Sequence, residues 1–199
     1  MKPNGVLAVL AGLGLGLTPA MALAESVNIS RSIFTNQPYT LIYPDTMVAS
    51  GGIDGPIIIN HPNAPLQCEL SVVPVDDDGW SAETALGALD EEEVAAAWSD
   101  TLPGFTLGAK GTAAYQDAKA LLYEGTSKDS AMGMPLTLVH TETVSEGRGY
   151  ALDCLFATEA SQQARPVVDF IIANFSTHAD AECCVGVDVV EPATEPPAQ

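Results

Sequence analysis

Three histidines, four cysteines and two runs of acids are the residues whose types could do chemistry in this chain. General acid or base catalysis most often uses His. His61 precedes Pro62 in a turn-rich stretch, and His178 lies near the C-terminal end. His140 shares one strand face with Leu136, Leu138 and Val144, which makes it a satisfied sheet residue rather than a base. No Ser sits in a G-x-S-x-G elbow. The glycines from Gly12 to Gly16 belong to an apolar N-terminal run. Gly147-Arg148-Gly149 turns between two strands and opens no helix, so neither segment is a phosphate cradle. The sequence assigns no catalytic residue and implies no cofactor.

Asp76-Asp77-Asp78-Gly79-Trp80 places three carboxylates at a strand end. Hard oxygen ligands suit Ca²⁺, but adjacent acids point different ways and the alternating D-x-D-x-D spacing is missing. The segment therefore reads as a solvated turn. An exposed Trp is a frequent anchor at interfaces, so Asp76, Asp77, Asp78 and Trp80 are the candidate partner-binding residues. Between His178 and Cys184 the chain carries imidazole, carboxylates and two thiols, a set that suits a transition metal. Oxidation competes for the thiols. The cysteines are Cys68, Cys154, Cys183 and Cys184, with no C-x-x-C among them. An even count favours disulfides in an oxidising compartment. Of three connectivities, Cys68–Cys154 is favoured, because both lie on apolar strand faces. Cys183 and Cys184 are then left for a vicinal bridge or for pairing between chains. The competing scheme joins each core cysteine to one member of the tail pair.

The compartment follows from the first 24 residues. Lys2 is followed by an unbroken run of Val, Leu, Ala and Gly from Val6 to Leu17, then Pro19 and the small-x-small triplet Ala22-Leu23-Ala24. This is the pattern of a bacterial secretory signal peptide cleaved before Glu25. The run is short of the roughly 20 apolar residues that span a bilayer. No Cys follows it for lipidation, and no later stretch is apolar enough for membrane insertion. The expected location is the periplasm or the outside. Across 199 residues, acids outnumber Lys and Arg 26 to 7, for a formal charge of −19. That balance excludes nucleic acid and anionic lipid as direct partners, since both are bound through clustered Lys and Arg.

The elements that must position these residues are mostly strands. Residues 25–38 read as an arm or a short helix. Strands are expected over Tyr39–Tyr43, Ile57–Ile59 and Cys68–Val75, with turn signals at Ser50-Gly51-Gly52 and Asp54-Gly55-Pro56. Ser81 caps one helix, and Asp90 opens a second with Val94, Trp98 and Leu102 on one face. Further strands are expected at 105–109, 112–115, 117–124, 136–144 and 150–156, the last two joined by a hairpin through Gly147. A closing helix over 162–174 tolerates Pro166 in its first turn. Residues 191–199, rich in Pro, Ala, Glu and Thr, read as disordered. The organisation is a signal peptide (1–24), an arm (25–38), a single α+β domain (39–176) and a Cys-containing C-terminal segment (177–199). The domain is an antiparallel β-sheet flanked by helices, an α/β/α sandwich.

Four features together resemble the PsbP/Mog superfamily of α/β/α sandwiches, which includes DcrB-like bacterial envelope proteins. They are Tyr39-Thr40-Leu41-Ile42-Tyr43-Pro44, the acidic central helix, the hairpin at Gly147-Arg148-Gly149-Tyr150 and the closing Ile171-Ile172-Ala173-Asn174-Phe175-Ser176. The resemblance implies a non-catalytic binding or assembly module whose partners differ between branches, and it supplies no site residues. The expected function is that of an exported, soluble, non-catalytic binding or assembly protein of the bacterial cell envelope, with another envelope protein as partner. The alternative is a periplasmic metal-ion or small-molecule binding protein, with an unrecognised hydrolase third.

Overall fold

The computed structural model describes residues 29–31, 37–52, 55–76 and 79–184. Residues 1–24, expected to be a signal peptide, lie outside the described residues, as do Asp77, Asp78 and the tail from 185 onward. Seven strands form one antiparallel sheet in the order β3-β4-β5-β9-β8-β7-β6. They are β3 (Val48–Gly51), β4 (Ile57–Asn60), β5 (Leu66–Pro74), β6 (Thr106–Ala114), β7 (Lys119–Ser127), β8 (Leu136–Ser145) and β9 (Arg148–Ala157). A separate two-stranded ribbon pairs β1 (Ile29–Arg31) with β2 (Ile42–Pro44). Among the described residues, three α-helices flank the sheet: α1 (Ala82–Ala88), α2 (Glu91–Trp98) and α3 (Ser161–Ala173).

Alternation along each strand divides the core in two. Cys68, Leu70, Val139, Tyr150, Leu152 and Phe156 point to one face, where Val168, Ile171, Ile172 and Phe175 of the closing helix region cover them. Leu121, Tyr123, Leu136 and Leu138 point to the other, where Val94, Trp98, Leu102 and Phe105 cover them. Side-chain period 2 in the strands thus feeds two layers of helix, which is the α/β/α sandwich. The helix starts follow local chemistry. Ser81 Oγ accepts from the Thr84 N–H, and Asp90 Oδ1 accepts from the N–H groups of Glu92 and Glu93.

Several boundaries differ from expectation, each for a physical reason. The two strands expected between 105 and 115 are one strand, β6, with a register shift between Leu107 and Lys110. A bulge absorbs the irregular Gly108-Ala109 stretch without ending the pairing. Ser50-Gly51, read as a turn, is the end of the edge strand β3, whose Ala49 packs against the core. Of the stretch expected as strand over 39–43, only Ile42 and Tyr43 lie in β2. Thr40 instead bridges Ser176, so this segment is tied to the C-terminal end of the domain and not to the main sheet. Residues 29–31 are a strand, formed by pairing with β2. α2 ends at Trp98, and Leu102 reaches the same core patch through turns whose N–H groups return to the Trp98 carbonyl. Pro166 sits in the second turn of α3, because a 3₁₀ turn at Thr158–Ala160 leads into a helix that begins at Ser161. The β8–β9 hairpin closes on two residues, Glu146 (φ 50°) and Gly147 (φ 71°). Positive φ at both positions matches the right-handed twist of the strands it joins.

Candidate functional site

The histidine at the sheet centre is fully engaged. On β8, His140 lies between Tyr123 of β7 and Asp153 of β9 in register. Its Nδ1–H donates to Asp153 Oδ1 at 2.6 Å, and Nε2 faces Glu142 Oε2 at 3.5 Å. The ring stacks on Tyr123 with centroids 4.3 Å apart, and the Trp98 indole meets its edge. Trp98 Nε1–H in turn donates to the Tyr123 hydroxyl at 2.9 Å. Burial alone works against the imidazolium. The hydrogen bonds and charges of Asp153 and Glu142 outweigh it, and the His140 pKa is pushed up to about 9. A ring protonated at neutral pH, with a carboxylate at each nitrogen, is no general base. Those carboxylates lie at opposite ring nitrogens, so the three groups do not converge on one ion. This cluster is a structural clamp that joins β7, β8, β9 and α2. The hairpin turn already encodes the His140–Asp153 pairing, since counting back from Ser145 opposite Arg148 places the two residues together.

The other histidines are scattered. His61 Nδ1 accepts from the Asn63 N–H at 3.2 Å. With Met132 and Leu155 it lines a shallow cleft of about 210 Å³. His178 Nε2 lies 3.5 Å from Asp117 Oδ2. Among the described residues, no His ring shares a hydrogen bond with a Ser or Cys side chain, and no three His, Cys, Asp or Glu groups gather as metal ligands. Cys68 and Cys154 face each other across β5 and β9, both fully buried, and their sulfurs are joined. The Cys183 and Cys184 sulfurs are brought together at the end of the described chain. The segment leading to them is strapped down. Thr177 donates from N and Oγ1 to Asp117, and Thr40 Oγ1 accepts from the Ala181 N–H.

The concave surface lies at the other end of β5. A cleft of about 440 Å³ opens there, lined by Gln37, Tyr39, Pro56, Val72, Val73 and Arg148 among others. It exists because β4 and β5 part company. Their pairing stops at Ile57 opposite Leu70, while β5 runs on to Pro74 paired only with β9. Burial, with the neighbouring Tyr150 phenol, pushes the Tyr39 phenol up to about 12, so its hydroxyl keeps its proton. Arg148 lies close enough to Tyr150 for its charge to act on that buried phenol. Just past β5, Val75 N–H donates to the Gly147 carbonyl at 3.0 Å and holds the strand's exit to the hairpin. Asp76 is exposed, whereas Trp80 packs half-buried against the Leu102–Phe105 core. By sequence alone Arg148 is a turn residue. Its proximity to Gln37 and Tyr39 depends on long-range packing that no local pattern carries.

With this geometry in hand, the likeness to known structures is informative about the fold. The solution structure of cyanobacterial PsbP (CyanoP) from Synechocystis sp. PCC 6803 superposes with a TM-score of 0.53 at 14% identity, covering 81% of this chain and 97% of that one. LpqN, involved in cell envelope biogenesis of Mycobacterium tuberculosis, gives 0.48 at 15% identity over 74% and 91% of the two chains. The Ran-binding protein Mog1p of Saccharomyces cerevisiae gives 0.47 at 8% identity over 71% and 84%. The sequence matches no protein-family model and no curated protein. The chain has a PsbP-like fold, a single α+β sandwich. Among the described residues, no helix is long and apolar enough to cross a membrane.

Proposed function

We propose that this chain is an exported, non-catalytic binding or assembly protein of the bacterial cell envelope, and that it works through the open end of β5. The observation that carries the reading is the cleft beside Arg148. The cleft measures about 440 Å³, exposed Asp76 follows two residues beyond the end of β5, and Val73 in the cleft lining is 52% exposed. Exposed apolar surface next to charged loops is the usual composition of a protein contact site. The N-terminal pattern from Lys2 to Ala24 supports export. The net charge keeps an exported protein soluble and steers it toward cationic surfaces within a screening length of about 8 Å at physiological salt.

A photo-crosslinking residue at Asp76 tests the reading in cells. The expected result is one dominant cross-linked envelope protein, lost when Asp77 and Asp78 are replaced by Asn without change in the thermal midpoint. Turnover of a hydrolase or redox substrate that a single His or Cys substitution abolishes would overturn it.

A further inference from the structure

We infer that the cleft beside Arg148 receives the carboxyl-terminal end of an extended peptide, with the Arg148 guanidinium holding the carboxylate and the edge of β5 at Val72 holding the backbone. This rests on the binding reading above and names the partner's chemistry.

The backbone half of the argument comes from register. Residues opposite each other in an antiparallel ladder alternate between hydrogen-bonded pairs and closer pairs that are not hydrogen-bonded. Cys68 and Cys154 have Cα atoms 4.0 Å apart, which marks a pair of the second kind. Cys68, Leu70 and Val72 therefore turn their N–H and C=O groups away from β9 and toward β4. Cys68 meets Ile59 and Leu70 meets Ile57, but no described residue of β4 pairs with Val72. Its N–H and C=O project into the cleft, where an added strand can take them up, as in strand addition at a sheet edge. The available edge is short. Pro74 has no N–H to donate, so the ladder stops there. A short edge suits the last residues of a chain better than a passing segment.

The charge half comes from Arg148. It pairs with Pro74 in the β5–β9 ladder and so stands where the edge stops. The chain carries 26 acids against 7 Lys and Arg, yet the described residues that line this cleft include Arg148 and no acid. Lys110, Lys119 and Arg165 are each taken up by carboxylates elsewhere. Arg148 is in none of the ion pairs among the described residues, and its near neighbour is the Tyr150 phenol. A guanidinium in a concave, half-shielded site favours a carboxylate through paired N–H donors. Tyr39 and Gln37 line the same cleft, and the Gln37 amide, which donates one N–H to the Gly52 carbonyl at 3.4 Å, has a second N–H to offer. A polyacidic segment is a poor occupant, because the net charge of −19 repels it. A single terminal carboxylate is not.

The test uses the full-length protein, immobilised, and a pool of hexapeptides randomised at the last three positions, offered with free carboxyl termini or as the C-terminal amides. Retained peptides are quantified by mass spectrometry. The expected result is retention of the free acids at least about tenfold above the amides, the ratio one charge-assisted hydrogen-bond pair supplies. Arg148→Gln should erase that ratio, Arg148→Lys should keep part of it, and Val72→Pro should weaken both forms. Equal retention of acids and amides, no retention of either, or a ratio unchanged in Arg148→Gln overturns the inference. An Arg148→Gln protein that still cross-links its envelope partner through position 76 would leave the binding reading intact while removing this one. Loss of both signals in a protein with unchanged thermal midpoint would tie the partner to the cleft.

Discussion

At the scale of single residues, the His140 clamp determines a pH dependence that can be worked out in sign. The folded-state pKa of about 9 lies above the ordinary value near 6.5. The stability it contributes is therefore complete below about pH 6.5, and it is lost as pH rises through about 9. Urea midpoints measured from pH 6 to pH 9.5 should fall over that window in the wild type and flatten in His140→Gln. A midpoint that rises over the same range would contradict the clamp. Tyr123 tests the same cluster from the other side. Replacing it by Phe leaves the Trp98 indole N–H without its acceptor, at a cost of roughly 1–3 kcal/mol for a polar group kept from water. The exposed pairs Lys110–Glu91 and Lys119–Glu83 tie the helices to β6 and β7 but contribute little to stability, as solvated ion pairs do.

At the scale of elements, two glycines in neighbouring strands should behave oppositely. Gly125 in β7 lies directly under the Phe105 ring, and a Cβ there would collide with Cζ and Cε2 of that ring. Gly125→Ala should cost about 1–3 kcal/mol, since the buried ring has little room to retreat. Gly111 in β6 has open space where its Cβ would be and an ordinary backbone conformation. Gly111→Ala should be neutral or stabilise by up to about 1 kcal/mol, by narrowing the unfolded ensemble. Denaturant titration of the two variants side by side separates the explanations, because general loosening of the sheet edge would move both the same way. Asp90→Ala adds a third check. It removes the acceptor for two N–H groups of α2 and should cost about 1 kcal/mol.

For the whole molecule, the buried Cys68–Cys154 bond links strands from opposite halves of the chain, 86 residues apart. Replacing both cysteines by Ala should lower stability by about 2–5 kcal/mol, the range for bonds that close long loops in exported domains. Reductant should reach this bond only after unfolding, since both sulfurs are shielded. Non-reducing peptide maps should join Cys68 to Cys154, and a peptide joining Cys154 to Cys183 or Cys184 would refute that pairing. The export proposal has its own check. Mass spectrometry of the protein recovered from the periplasm or medium should find Glu25 at the N-terminus, and a form beginning at Met1 in the membrane fraction would sink it.

Local chemistry was enough to read the caps at Ser81 and Asp90, the strand faces of β5, β7, β8 and β9, the existence of a glycine-bearing hairpin between Ser145 and Gly149 and the apolar face of the closing helix, whereas the turn itself is only Glu146-Gly147. These depend on neighbours within a few positions, so period and propensity report them directly. The facing of Cys68 and Cys154 followed from the same alternation, once both strands were assumed to share a core. What lay beyond local reading was every feature set by which strands end where. The single bulged β6, the edge strand β3, the bridge from Thr40 to Ser176 and the premature end of β4 against β5 are outcomes of long-range pairing. The cleft is one of these. Its described walls come from residues 37–39, 52, 55–56, 70–73 and 148, and nothing in any one segment marks it as a site. Arg148 reads locally as a hairpin residue, and only the meeting of the arm, the β3–β4 turn and the free edge of β5 turns it into the cation of a concave surface.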